Sequence, residues 1–99
     1  MCNYTLIWNY KVNSQLPNLR IMTKIDKKNQ KIRRNPNGVK FHDFTSWLED
    51  NGFSLDRVKG SHHIFIHPSI EIPINAQKKK DGTAKAYQVK QAIKIIDGE

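Results

Sequence analysis

The hydrophobic period of this chain changes at Gly52, and that change constrains the fold more than any other feature. Before it, Phe41, Phe44, Trp47 and Leu48 fall at i, i+3, i+6 and i+7, the spacing of one helical face. Gly52 follows where a left-handed residue ends such a helix, which is expected over 42–51. After it the period is two. Phe53, Leu55 and Arg57 alternate with Ser54, Asp56 and Val58, and Gly60-Ser61 makes a turn. Over 62–67, Ile64 and Ile66 share one face and His63, Phe65 and His67 the other. Pro68-Ser69 turns the chain again, and Ile70, Ile72 and Ile74 share a face of a third strand. Two short turns between three strands predict an antiparallel meander, with Pro73 assigning the last strand to an edge.

The flanks add helices. Residues 22–34 are rich in Lys, Gln and Arg, good helix formers, over a thin apolar face of Met22, Ile25 and Ile32. Asn35-Pro36-Asn37-Gly38 stops that helix. Residues 75–81 form a polar loop, Thr83 is a candidate N-cap, and Ala86, Val89, Ile93 and Ile96 make a last helical face. The expected class is therefore α+β: a three-stranded antiparallel sheet with helices on one face, in the order α-α-β-β-β-α. Its expected core combines Phe44, Trp47, Leu48, Val89, Ile93 and Ile96 from the helices with Ile64, Ile66, Ile72 and Ile74 from the sheet. Residues 1–21 show only an alternation of Tyr4, Leu6, Trp8 and Tyr10. They are expected to be a flexible or weakly structured tail on a single domain spanning 22–99, with Met22 an alternative start.

Ninety-nine residues make one domain. A single cysteine, Cys2, excludes an intrachain disulfide and a four-cysteine zinc site. No apolar run approaches the ~20 residues of a membrane helix, and the N-terminus lacks the pattern of a signal peptide, so a cytoplasmic, membrane-free protein is expected. The net charge of +8 is unevenly spread. Residues 22–40 hold seven Lys or Arg against Asp26, residues 76–99 hold six Lys against Asp81, Asp97 and Glu99, and the middle is mildly acidic. Such flanks attract polyanions by counterion release or are simply solvated helix faces; charge alone leaves both open.

Three of the four histidines, His62, His63 and His67, lie within six residues. A metal site is disfavoured by spacing. His63 and His67 are separated by roughly 13 Å of strand, while two nitrogens on one zinc each lie about 2.0–2.1 Å from it, and His62 faces the other way. Acid/base chemistry remains, since imidazole titrates near pH 6.5. A histidine can remove the proton of an RNA 2′-OH and drive attack on the adjacent phosphate without metal, with lysines stabilising the developing charge. Lys59 precedes the turn, Lys78, Lys79 and Lys80 follow the sheet, and Gly60 permits close approach of a phosphate. The competing reading is that these are ordinary surface histidines of a hairpin.

The stretch Arg57-Val58-Lys59-Gly60-Ser61-His62-His63-Ile64-Phe65-Ile66-His67-Pro68 resembles the HicA (YcfA-like) family of small mRNA interferases. The family pattern is a helix ending in Gly-aromatic, a strand, a Gly-Ser-His turn, a strand ending His-Pro, an isoleucine/valine strand and a final helix. Asn51-Gly52-Phe53, Ile72-Pro73-Ile74 and the 86–92 segment fit it. The resemblance covers roughly 41–96, and residues 24–38 are similar to a longer subgroup with an extra N-terminal helix. It implies a fold like the double-stranded-RNA-binding domain (α-β-β-β-α), a metal-independent endoribonuclease that cleaves mRNA, no cofactor, and neutralisation by a HicB antitoxin.

The resemblance also implies a catalytic histidine just after the glycine turn, which is His62 here. Strand parity, read from the isoleucines, sets His62 on the buried side and His63 on the open side. A bulge at the turn is then needed to re-aim His62, and His63 stands as the second catalytic candidate. Gly60, Ser61, Lys59, His67 and Lys78 to Lys80 are candidates for positioning RNA. The chain departs from the family after the third strand, where a frequent Pro-His is replaced by Asn75-Ala76-Gln77. A non-catalytic RNA-binding module with the same fold is the alternative, because RNA shape can be read through phosphates and 2′-OH groups without cleavage.

Overall fold

A computed structural model describes residues 22–98; the expected tail, residues 1–21, lies outside the described residues. The elements are α1 (Lys24–Arg34), α2 (Phe41–Asp50), β1 (Ser54–Lys59), β2 (His62–His67), β3 (Ile70–Ala76) and α3 (Ala86–Ile96). The strands form one antiparallel sheet in the order β1-β2-β3. This is the expected α+β class: an α-β-β-β-α unit with one more helix in front.

The end of α2 turns the chain from helix into sheet. Gly52 N–H donates to the Glu49 carbonyl and Phe53 N–H to the Leu48 carbonyl, each at 3.0 Å, which satisfies carbonyls that the helix end would leave unpaired. Gly52 has φ +91°, and a Cβ there would stand 2.8 Å from His67 Nε2. Glycine is required on both counts.

α2 and α3 lie against β3, and α1 lies on α2. Phe44, Trp47 and Leu48 of α2 meet Val89 and Ala92 of α3 and Phe65, Ile74 and Ala76 of the sheet in one buried cluster. The expected sheet face is corrected here. Phe65 is 3 % exposed, while its neighbour Ile66 is 42 % exposed. The buried side of β2 is the aromatic row His63-Phe65-His67, and the isoleucine side faces out. Phenylalanine buries more apolar surface than isoleucine, and the flanking histidines pack edge-on against Phe41 and Phe53 at 5.0 Å between ring centroids.

Ile72 is also outside the core, at 56 % exposure. A regular ladder running from the His67–Ile70 pair sets Ile72 opposite Phe65. Instead Ile74 occupies that place, after a register shift in β3. The extra residues bulge outward and carry Ile72 with them. Ile93 and Ile96 of α3 are half-buried at the edge of the cluster.

α1 is held mainly by polar contacts. Only its Ile32 is buried, and Met22 and Ile25 are exposed. Trp47 Nε1–H donates to Asn29 Oδ1 at 3.0 Å. Lys28 Nζ bridges Asp50 at 2.8 Å and Ser46 Oγ at 2.6 Å. The Arg33 guanidinium grips both oxygens of Asp97 at 2.9 Å. Thr23 and Asp26 close a capping box at the helix start. Thr83 is not the cap of α3. Lys85 takes that place without a side-chain bond, and Thr83 donates its N–H and hydroxyl to Asp81 Oδ1 at 2.9 and 2.6 Å.

Candidate functional site

Directly opposed residues of an antiparallel pair share a face, so the register assigns the side chains. Lys59 opposes His62, Arg57 opposes Ile64, and Ile64 opposes Asn75 on the other side. His62, Lys59, Ile64 and Asn75 therefore occupy the face of the sheet that no helix covers. Because Phe65 is the buried residue of β2, ordinary alternation gives His62 the open face, and the expected re-aiming bulge is unnecessary. Its ring is exposed, with Nδ1 2.8 Å from Asn75 Nδ2.

Lys59 lies beside His62 across the two-residue connection Gly60-Ser61. Gly60 has φ +62° and no atom within 4 Å of the place a Cβ would take, so the backbone there is open to a close-lying ligand. Ser61 is tied from behind: its Oγ accepts from Gln77 Nε2 at 3.3 Å. Gln77 in turn pairs with Gln88 of α3. Gln77 N–H donates to Gln88 Oε1 at 2.7 Å, and Gln88 Nε2 donates to Gln77 Oε1 at 2.9 Å. Both glutamines are buried. A buried amide pair with its partners met is worth keeping, since losing one side leaves the other desolvated and unpaired. This pair fastens the turn to α3.

The remaining candidates separate. His63 lies on the helix-covered face, half-buried against Phe41, with Nδ1 3.3 Å from the Ser61 carbonyl. His67 lies on the same covered face at the far end of β2. It packs on Phe53 and accepts from Ser69 N–H at 2.9 Å. The structure thus brings together His62, Lys59, Gly60 and Ser61, and does not bring His63 or His67 onto their face. Lys78, Lys79 and Lys80 are exposed and begin one residue after Gln77, so their loop leaves the sheet beside the turn. In that loop Lys79 Nζ is 3.9 Å from Asp81. Hydrogen bonds from Thr83 hold the Asp81 carboxyl below its ordinary range. Among the described residues no group of three or more His, Cys, Asp or Glu gathers.

Asn75, Gln77 and Gln88 are the site residues that the sequence reading missed. The available signal was the pair of amides at alternate positions where an apolar strand ends, within antiparallel reach of Gly-Ser-His.

Residues 41–97 match the family model described as the HicA toxin of bacterial toxin–antitoxin systems, which covers more than half of the chain. The chain belongs to the HicA toxin family. No curated protein and no solved structure matches it significantly. The HicA match opens at the first residue of α2 and takes in the whole sheet and α3, including the turn, Asn75 and the glutamine pair. α1 precedes it and is an addition to the matched unit. Membership carries with it the role of a toxin and an antitoxin partner. No helix among the described residues is long and apolar enough to cross a membrane.

Proposed function

We propose that this HicA chain is a metal-independent endoribonuclease that cleaves mRNA at the open face of its sheet, with His62 as general base and a HicB-type protein as its antitoxin. The observation that carries this reading is the exposed His62 imidazole beside Lys59 at the open Gly60 turn, with Asn75 2.8 Å from its Nδ1.

The chemistry needs little else. His62 Nε2 takes the proton of a ribose 2′-OH as that oxygen bonds to the adjacent phosphorus. The bond from phosphorus to the 5′-oxygen breaks, the leaving oxygen takes up a proton from water, and His62 releases its own to solvent. The products are a 2′,3′-cyclic phosphate and a 5′-hydroxyl. Lys59 and the Lys78 to Lys80 loop supply positive charge toward the phosphoryl oxygens, where such charge is most effective. Gly60 and Ser61 let the backbone lie against the strand, and His63 and His67 serve the turn and the core from the other face.

The test is cleavage of a defined RNA in EDTA by the parent protein and by His62→Ala. Parent activity with cyclic phosphate ends, and a loss of at least about 100-fold in the variant, the range expected of a general base, support the reading. Full activity in His62→Ala overturns the role of His62. Tight RNA binding without any cutting by the parent favours a binding module instead.

A further inference from the structure

We propose that Asn75 is a positioning residue for His62, which holds the ring proton on Nδ1 through its amide oxygen and so leaves the lone pair on Nε2. The proposal deepens the reading of His62 as base and rests on it.

Asn75 is the side-chain hydrogen-bond partner of His62 among the described residues, at 2.8 Å from Nδ1. It reaches the ring from β3, on the face that His62 and Ile64 share, and its own Oδ1 is buried without a partner. The two ends of this amide have opposite consequences. When Nδ2 faces the ring, Nδ1 accepts, and a neutral imidazole must carry its proton on Nε2. That ring offers a donor to the substrate and has no basic nitrogen to give. When the amide makes a half-turn about χ2, Oδ1 faces Nδ1–H and Nε2 carries the lone pair. The torsion of an asparagine amide is broad and roughly two-fold, and the half-turn exchanges which end of the amide meets the ring and which takes the buried place.

General-base catalysis selects the second arrangement twice over. Before the proton moves, only the Nδ1–H tautomer has a free Nε2. After it moves, the ring is a cation with a proton on each nitrogen, and an acceptor at Nδ1 stabilises it while an N–H donor repels it. An amide oxygen fixed behind a histidine sets tautomer and orientation in the way that any second hydrogen bond to a ring nitrogen does. The location of Asn75 suits the task. The residue two positions on, Gln77, holds Ser61, so one end of β3 fixes both the turn and the ring it presents. An exposed neutral hydrogen bond adds little to folding, which leaves orientation of His62 as its consequence.

The experiment reads the tautomer directly, by long-range nitrogen–proton NMR of the His62 ring in the whole chain, together with turnover of a defined RNA. The parent is expected to hold the Nδ1–H form. Asn75→Ala is expected to release it to the Nε2–H form that an unconstrained histidine side chain favours. Turnover should fall about 10–100-fold, by analogy with the loss when a partner that orients a metal-ligating histidine is removed, with KM little changed. Asn75→Asp, which offers only acceptor oxygens, is expected to keep the Nδ1–H form and recover turnover. A parent ring in the Nε2–H form, or a tautomer and turnover unchanged in Asn75→Ala, overturns the proposal. If His62→Ala is inactive while Asn75→Ala is indistinguishable from the parent, Asn75 fails and the base stands. If His62→Ala is fully active, the base fails, and the proposal for Asn75 falls with it whatever the tautomer shows.

Discussion

A single methyl group at residue 52 tests how the ends of this fold are joined. Gly52 is left-handed at φ +91°, where an L side chain costs roughly 1–2 kcal/mol, and the added Cβ would meet His67 Nε2 at 2.8 Å. Gly52→Ala is therefore expected to destabilise the protein by more than that backbone cost alone. His67→Ala removes the ring that the methyl strikes but loses the edge contact with Phe53. The double variant should then be less destabilised than the sum of the two singles, because residues in contact do not add. Urea unfolding of the four proteins measures this. Strict additivity would mean that the ring moves aside freely and that only the backbone resists alanine. The same proteins assign His67: a histidine that serves the end of α2 changes stability when removed and, under the proposed function, leaves turnover of a defined RNA unchanged.

Between elements, the ion pair from α1 to the end of α3 sets an expected pH response. Hydrogen bonding to Arg33 holds the Asp97 carboxyl below its ordinary value of 3.8. A depressed carboxyl stabilises the fold above its unfolded value and loses that contribution as pH falls through the lower folded value. Both side chains are about one-third exposed, so the pair is worth about 0.2–1 kcal/mol. Asp97→Asn should lower stability by that much at neutral pH, and the difference should vanish on acidification, as read by denaturant midpoints across pH; a difference that persists in acid would assign the effect to packing. The ease with which each element was read from sequence follows the same division between apolar period and polar detail. α2 was legible because Phe44, Trp47 and Leu48 keep a helical period. The meander was legible because its turns are short. The buried face of β2 was misread because counting isoleucines ignores the greater area of Phe65, and Ile72 was misread because a bulge in β3 leaves no mark on the period. The seat of α1 rests on Asn29, Lys28 and Arg33, polar contacts between residues far apart in the chain that no local pattern announces. In the site, Gly60-Ser61-His62 stood out as a motif, whereas Asn75 and Gln77 acquire meaning only once the register brings them to it.

Over the whole molecule, the proposed function and the charge of +8 together raise the question of whether RNA would respond to the total field or to particular lysines. The two basic regions sit on different elements, although the loop after β3 returns to the α1–α2 connection through the Gly82 carbonyl and the Phe41 N–H. Lys24, Lys27 and Lys31 are exposed on α1, which rests on α2 in the helical layer, whereas Lys78, Lys79 and Lys80 leave the sheet beside the His62 turn. At physiological salt, charges further apart than a Debye length of about 8 Å are largely screened. Contacts with phosphate, unlike a diffuse field, release counterions one by one, with a slope in log affinity against log salt of about 0.7 per phosphate for a single strand. Changing Lys78, Lys79 and Lys80 together to Gln is expected to flatten that slope by up to about 2, three contacts at that value. The same change at Lys24, Lys27 and Lys31 removes equal charge and is expected to leave the slope nearly as it was. Binding of a fluorescent RNA by the His62→Ala protein, which the proposed function expects not to cut it, measures both across a salt series. Equal losses from the two triple variants would mean that total charge draws the RNA in, and the loop after β3 would then have no special part in holding it.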